Sequence, residues 1–204
     1  FMEPTQVISI VILILSIVAH EISHGYAALV CGDPTAKIAG RLTPNPLKHL
    51  DFIGSFVVPV IFFLTSGGIA GWAKPVPYNP YMLQGRFAEL FVASAGILMN
   101  ITIALIFGVI YKFLPLELGM NGYSDVILTI IYINIGLFVF NLLPFPPFDG
   151  LRIVTSFLQG FGVSRTKFSF FENPMWIFVS LIIAFNIWPV IAPLVQFIFK
   201  LIVF

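Results

Sequence analysis

His20-Glu21-Ile22-Ser23-His24 carries the densest chemistry in this chain. On a helix, two histidines four positions apart lie one turn apart on one face. Both imidazoles then reach one Zn²⁺, and the glutamate between them is placed to take a proton from an attacking water. The setting is unusual for such a motif. No charged residue occurs over 4–19 or over 25–32. Ionisable groups are expensive in hydrocarbon, so a cluster of them there reads as functional. The plain alternative is a His pair hydrogen-bonded in a polar core, which would leave three buried ionisable groups without a task.

Zinc needs a third protein ligand. The histidines are His20, His24 and His49, and the one cysteine is Cys31. A lone cysteine excludes an intrachain disulfide and a cysteine-rich metal site. Asp149 is the strongest candidate. It ends a charge-free window, on Asn141-Leu142-Leu143-Pro144-Phe145-Pro146-Pro147-Phe148-Asp149-Gly150, where proline stops the helix ladder. Its other role would be to cap a helix from Leu151 onward. His49 competes, but Lys48-His49-Leu50-Asp51 looks like polar surface. Asp33, Asp51 and Cys31 trail.

Something must hold these groups in place. The chain has 204 residues, of which 59% are hydrophobic and 9% charged, against roughly 25% charged in soluble domains. This much apolar surface marks an integral membrane protein, with the lipid bilayer as its surroundings. A net charge of +1 offers no footprint for nucleic acid. Windows 52–73, 90–111, 126–148 and 173–199 are free of charge, and each reaches the ~20 residues a membrane-crossing helix needs. The HEISH segment makes a fifth. It is read as a span rather than a cleaved leader, because it has no basic start and continues through His20, Glu21 and His24. With no internal repeat, residues 1–204 read as one membrane domain.

The expected fold is therefore an all-α polytopic membrane protein. It has about four to five transmembrane helices, a broken or re-entrant element, and a small surface strand or hairpin. Gly32-Asp33-Pro34 stops the first helix, and residues 37–43 supply the strand or hairpin. Pro59, Gly67, Gly68 and Gly71 interrupt window 52–73, which favours re-entry over a straight crossing. A short interfacial helix follows at 151–160, and a last span bends near Pro189 and Pro193. If 52–73 dips and returns, Lys37, Arg41, Lys48, Lys74, Arg86, Arg152, Arg165 and Lys167 fall on one face, the cytoplasmic one by the positive-inside tendency. The HEISH span and the span ending at Asn141 then run parallel.

At this point the residues resemble a family, the site-2 protease family of intramembrane zinc metalloproteases. The first match is His20-Glu21-Ile22-Ser23-His24 inside a span. The second is the run from Asn141 to Gly150, which is similar to that family's Asn-x-x-Pro…Asp-Gly motif. Gly40-Arg41-Leu42-Thr43-Pro44-Asn45-Pro46 and the segment around Trp72-Ala73-Lys74-Pro75 are similar to a compact bacterial-type branch without a PDZ or nucleotide-sensing domain. Ile97 departs from the family, which commonly has Pro after Ala-Gly there. The resemblance implies zinc ligands His20, His24 and Asp149, a catalytic base Glu21, and a role for Asn141 in orienting substrate or the oxyanion. Asn141 would otherwise tie down the backbone before Pro144. The resemblance further implies a bacterial inner-membrane location and a site opening toward the cytoplasm. Its substrates would be transmembrane or membrane-proximal peptide segments, locally unwound and paired against 37–41 by β-augmentation. No pattern fixes an oligomeric state.

Two other classes are weaker. A metal transporter or zinc-sensing protein would place acids on several helices along a polar track. Here Glu89, Glu117, Asp125 and Glu172 lie near window edges, and no second polar constellation is evident. An inactive scaffold would have no need of the full set of His20, Glu21, His24 and Asp149.

Overall fold

Long apolar runs without internal breaks become the helices. The computed structural model describes residues 4–51, 54, 57, 73–113, 121–173 and 175–204. It contains α1 (Pro4–Val30), α2 (Thr35–Ile38), α3 (Ala88–Lys112), α4 (Asn121–Asn141), α5 (Asp149–Gly160) and α6 (Met175–Val203). Short 3₁₀ turns cover Pro46–His49, Pro80–Met82 and Arg165–Glu172. Among the described residues, four helices are long and apolar enough to cross a membrane: Thr5–Val30, Ala88–Lys112, Gly122–Asn141 and Asn186–Val203. Their outer faces expose Leu15, Leu105, Val109, Val190 and Phe197, where lipid replaces water as the solvent. The chain is an integral membrane protein.

Hydrogen bonds fix the helix directions. Descending α1 from its end, Cys31, His24 and His20 meet Gln84, Val92 and Asn100 in turn, so α1 and α3 are antiparallel. α4 runs back along α3 and lies parallel to α1, with Asn134 opposite Ser16. Ala104 of α3, Ile131, Ile135 and Val139 of α4, and Ile191 and Val195 of α6 close the core at this side. α6 keeps its helix through Pro189 and Pro193, which spans tolerate because neighbouring protein can satisfy the freed carbonyls. α3 likewise continues unbroken past Ile97, which is buried.

Asp33 organises the end of α1. It is fully buried and accepts hydrogen bonds from the Thr35 backbone N–H (2.9 Å), the Thr35 hydroxyl and the Asn79 N–H (2.5 Å). Burial opposes its ionisation, but these donors outweigh it and hold the carboxyl below its usual range. Gln84 N–H donates to the Cys31 carbonyl at 2.7 Å, Lys74 N–H to the His49 carbonyl at 2.8 Å, and Arg41 Nη2 to the Lys74 carbonyl at 2.7 Å. The segments before and after residues 52–73 therefore share one end of the bundle. The element read as re-entrant lies almost wholly outside the described residues.

One sequence expectation is wrong. There is no surface strand or hairpin at 37–43, nor any strand among the described residues. Thr35–Ile38 is a helical turn instead. The Asp33 carboxylate captures the Thr35 N–H and hydroxyl and nucleates that turn. Gly40 then adopts φ 63°, the left-handed value that ends helices, and Arg41 N–H returns to the Ala36 carbonyl. The local turn set by Asp33 wins over the extended conformation expected for 37–43. The β-augmentation surface at 37–41 falls with it.

Candidate metal centre

α1 is regular through its motif, so the His20 and His24 rings meet edge to face with centroids 4.8 Å apart. Their Nε2 atoms are 3.1 Å apart. Asp149 Oδ2 lies 2.9 Å from His20 Nε2 and 3.1 Å from His24 Nε2. All three side chains are buried. Counting 1.5 Å per residue from Val30, the pair sits roughly 9–15 Å in from the end of α1.

The Nδ1 atoms decide what the Nε2 atoms are. His24 Nδ1 lies 2.7 Å from the Val92 carbonyl oxygen. A carbonyl only accepts, so a neutral His24 carries its proton on Nδ1. His20 Nδ1–H donates to Asn100 Oδ1 at 2.6 Å. Both Nε2 atoms are then lone-pair atoms pointed at each other and at a carboxylate oxygen. With both imidazoles neutral nothing in that set attracts, and a cation at its centre would hold the three atoms together. A tetrahedral zinc with bonds of about 2.0–2.1 Å would hold its ligand atoms roughly 3.3 Å apart, near the 2.9–3.1 Å seen here. The donor set of two imidazoles and a carboxylate fits zinc.

Two glycines make room for this packing. A Cβ on Gly96 of α3 would stand 2.5 Å from His20 Cε1, His20 Nε2 and His24 Nε2. A Cβ on Gly150 would strike the Leu142 carbonyl oxygen and come within 2.5 Å of the Leu143 oxygen. Residues 142–148 leave α4, and Phe148 is extended (φ −74°, ψ 152°) as α5 begins. Because Gly150 lets the first turn of α5 seat on the end of α4, Asp149 enters the cluster.

Glu21 is half-buried, and its Oε2 accepts the Val76 N–H at 2.8 Å. Val76 belongs to the Pro-rich segment whose Asn79 is tied to Asp33, so the carboxylate is braced by a fixed loop. The Asn141 amide donates instead to the Leu137 carbonyl of its own helix at 2.9 Å. His49 stays outside the cluster. It is buried, and its Nε2–H donates to the Thr43 carbonyl at 2.9 Å.

The model described as Peptidase family M50 matches residues 8–117 and 116–187. The chain belongs to peptidase family M50. The M50 chain is 36% identical over 195 residues to "Putative zinc metalloprotease YwhC" of Bacillus subtilis (strain 168), covering 89% of this chain and 84% of that protein. It is 27% identical over 154 residues to "Putative zinc metalloprotease Rip2" of Mycolicibacterium smegmatis, covering 72% of this chain and 58% of that one. It is also 27% identical over 149 residues to "Zinc metalloprotease MJ0392" of Methanocaldococcus jannaschii, covering 73% of this chain and 34% of that protein. The chain thus spans little more than half of the Rip2 protein and about a third of MJ0392. No solved structure matches it.

The site-2 protease resemblance holds at the level of this family. The M50 chain is a membrane zinc metallopeptidase, and His20, His24 and Asp149 form one site fit for a single Zn²⁺. Its surroundings are lipid, and its substrates are membrane proteins. The transporter reading loses ground, because this is the one group of His, Cys, Asp or Glu among the described residues able to hold a metal. One expectation from the sequence still needs correction. A second polar constellation does line the spans of this M50 chain: Ser16, Asn100 and Asn134, all buried and hydrogen-bonded behind His20. A lone Asn or Ser in an apolar window is the signal that could have found it, since such groups must have partners there.

Proposed function

We propose that this chain, acting as a single membrane domain over 1–204, cleaves peptide bonds in or near the transmembrane segments of its substrates. In this reading His20, His24 and Asp149 hold the zinc and Glu21 is the base. The observation that carries it is the convergence of three buried lone-pair atoms 2.9–3.1 Å apart, on the helix that also presents Glu21. When bound, zinc supplies the Lewis acidity that makes water nucleophilic at neutral pH and polarises a carbonyl. Glu21 takes a proton from the attacking water and returns it to the leaving amine. The Val76 N–H fixes one carboxylate oxygen and leaves the other to do this. Asn141 serves the oxyanion by turning its amide from the Leu137 carbonyl toward substrate.

Purified chain in detergent should cleave a membrane-spanning peptide, lose that activity to a chelator, and regain it with added zinc. Asp149→Ala should lower zinc retention by two orders of magnitude or more, because it removes one of three protein ligands. Unchanged retention in that variant would remove Asp149 from the ligand set.

The site opens toward the cytoplasm in this proposal. Lys37, Arg41, Lys48, Lys74 and Arg86 lie in segments joined at the end of α1, the segments of Arg152, Arg165 and Lys167 are tied to the start of α3 beside them, and basic residues favour the cytoplasmic face. Lys112 and Lys200 lie in the last turns of α3 and α6. A cavity of about 390 Å³ lined by Tyr78, Phe148, Arg152, Gln159 and Arg165 flanks the first turns of α5 on the basic side and supports water entry from there. In a Cys31→Ser background, Leu47→Cys and Tyr81→Cys should react with an impermeant thiol reagent from the cytoplasmic side, and Tyr123→Cys from the other. Leu47, Tyr81 and Tyr123 are well exposed. The reverse pattern would invert the orientation, and labelling of Leu47→Cys and Tyr81→Cys from opposite sides would end it.

A further inference from the structure

His20 is backed by side chains from three helices. Its Nδ1–H donates to Asn100 Oδ1 at 2.6 Å. Asn100 Nδ2 donates to Asn134 Oδ1 at 3.0 Å. Asn134 Nδ2 donates to Ser16 Oγ and to the Ile130 carbonyl, each at 2.9 Å. Asn100 and Asn134 have no exposed surface, and Ser16 has 5%.

The chain of bonds runs one way only. The Ile130 carbonyl can accept but not donate, so it fixes which end of the Asn134 amide is nitrogen. That leaves Asn134 Oδ1 facing Asn100, which must answer with its own nitrogen. Asn100 then has only its oxygen to offer His20, and His20 must put its proton on Nδ1. Its Nε2 is left as a lone pair aimed at Asp149 and His24. Reversing any one amide would set two donors or two acceptors face to face in a buried, low-dielectric site.

We propose that Asn134 and Asn100 act as positioning residues, a directional relay that imposes the Nδ1–H tautomer on His20 and presents its Nε2 to the metal. The proposal rests on His20 being a ligand. It assigns Asn134 an effect on zinc although Asn100 stands between it and His20. Partners behind a metal-bound imidazole commonly change affinity about 10–100-fold. Interhelical glue alone would change folding and leave metal affinity as it was.

The test is zinc affinity by chelator competition in detergent, with zinc-free thermal unfolding measured beside it. Asn100→Leu and Asn134→Leu should each weaken zinc about 10–100-fold. Asn100→Asp keeps the acceptor for His20 but sets an oxygen against Asn134 Oδ1, so its affinity should fall between wild type and Asn100→Leu. Wild-type affinity in both leucine variants, or Asn100→Asp as weak as Asn100→Leu, would overturn the relay. His20→Ala separates the two levels: zinc retained there sinks the ligand assignment itself. If a leucine variant does not fold, ¹⁵N-histidine NMR of zinc-free wild type above pH 8 still decides. His20, assigned by its loss in His20→Ala, should show the Nδ1–H form, and the Nε2–H form would refute the proposal.

Discussion

Glu21→Gln should keep zinc at wild-type stoichiometry and lose peptide hydrolysis. Glutamine has almost the same shape, and its side-chain oxygen can still accept the Val76 N–H that holds Glu21 at 2.8 Å. Neither His20, His24 nor Asp149 loses a partner. What disappears is the ability to accept a proton at neutral pH. A positioned general base contributes about 10²–10⁴-fold, or about 3–5 kcal/mol in the barrier. The measurements are metal content per chain and the cleavage rate of a membrane-spanning peptide by purified protein. A variant cleaving within threefold of wild type would remove Glu21 from the role of base.

The motif and the third ligand were legible for different physical reasons. His20, Glu21 and His24 are related by helix periodicity alone, so the sequence contains their geometry. Asp149 stood out because an acid closing an apolar, proline-broken window needs a reason to be there. Gly96, Asn100, Asn134 and Ser16 were harder. Their meaning depends on the register between α1, α3 and α4, which no local pattern encodes. Val76 is similar. Its side chain is unremarkable, and its contribution is a backbone N–H delivered by a loop tied down through Asp33 and Asn79. The mistaken strand at 37–43 has the opposite cause. Asp33-Pro34-Thr35 holds a turn signal that starts α2 and reads equally well as a stop for α1.

The site is also narrower in tolerance than its three ligands suggest. Each imidazole is gripped at Nδ1 by α3: His24 by the Val92 carbonyl and His20 by the Asn100 side chain. Positions 92, 96 and 100 are one turn apart on a single stripe of that helix. The grips therefore flank Gly96, and the two Nε2 atoms lie directly over it.

Gly96→Ala should accordingly weaken zinc binding about 10–100-fold, the scale seen when supports of a metal ligand are disturbed, and lower stability. The new Cβ would stand 2.5 Å from ring atoms of both histidines, far inside van der Waals contact. The rings cannot yield without leaving Val92 and Asn100, and α3 cannot withdraw without breaking the same two bonds. Overpacking of this kind costs about 1–3 kcal/mol. Helix propensity pushes the other way, since replacing a mid-helix glycine by alanine favours the helix by about 0.5–1 kcal/mol. The sign of the change thus separates the two effects. Gly136 of α4 is the matched control, because a Cβ there meets nothing within 4 Å. Gly136→Ala should leave zinc affinity untouched and hold or raise the unfolding temperature, while Gly96→Ala lowers both. Chelator competition and thermal unfolding on the two variants side by side measure this. Equal behaviour of the pair would mean that the close approach of α3 to His20 and His24 does not constrain the metal centre.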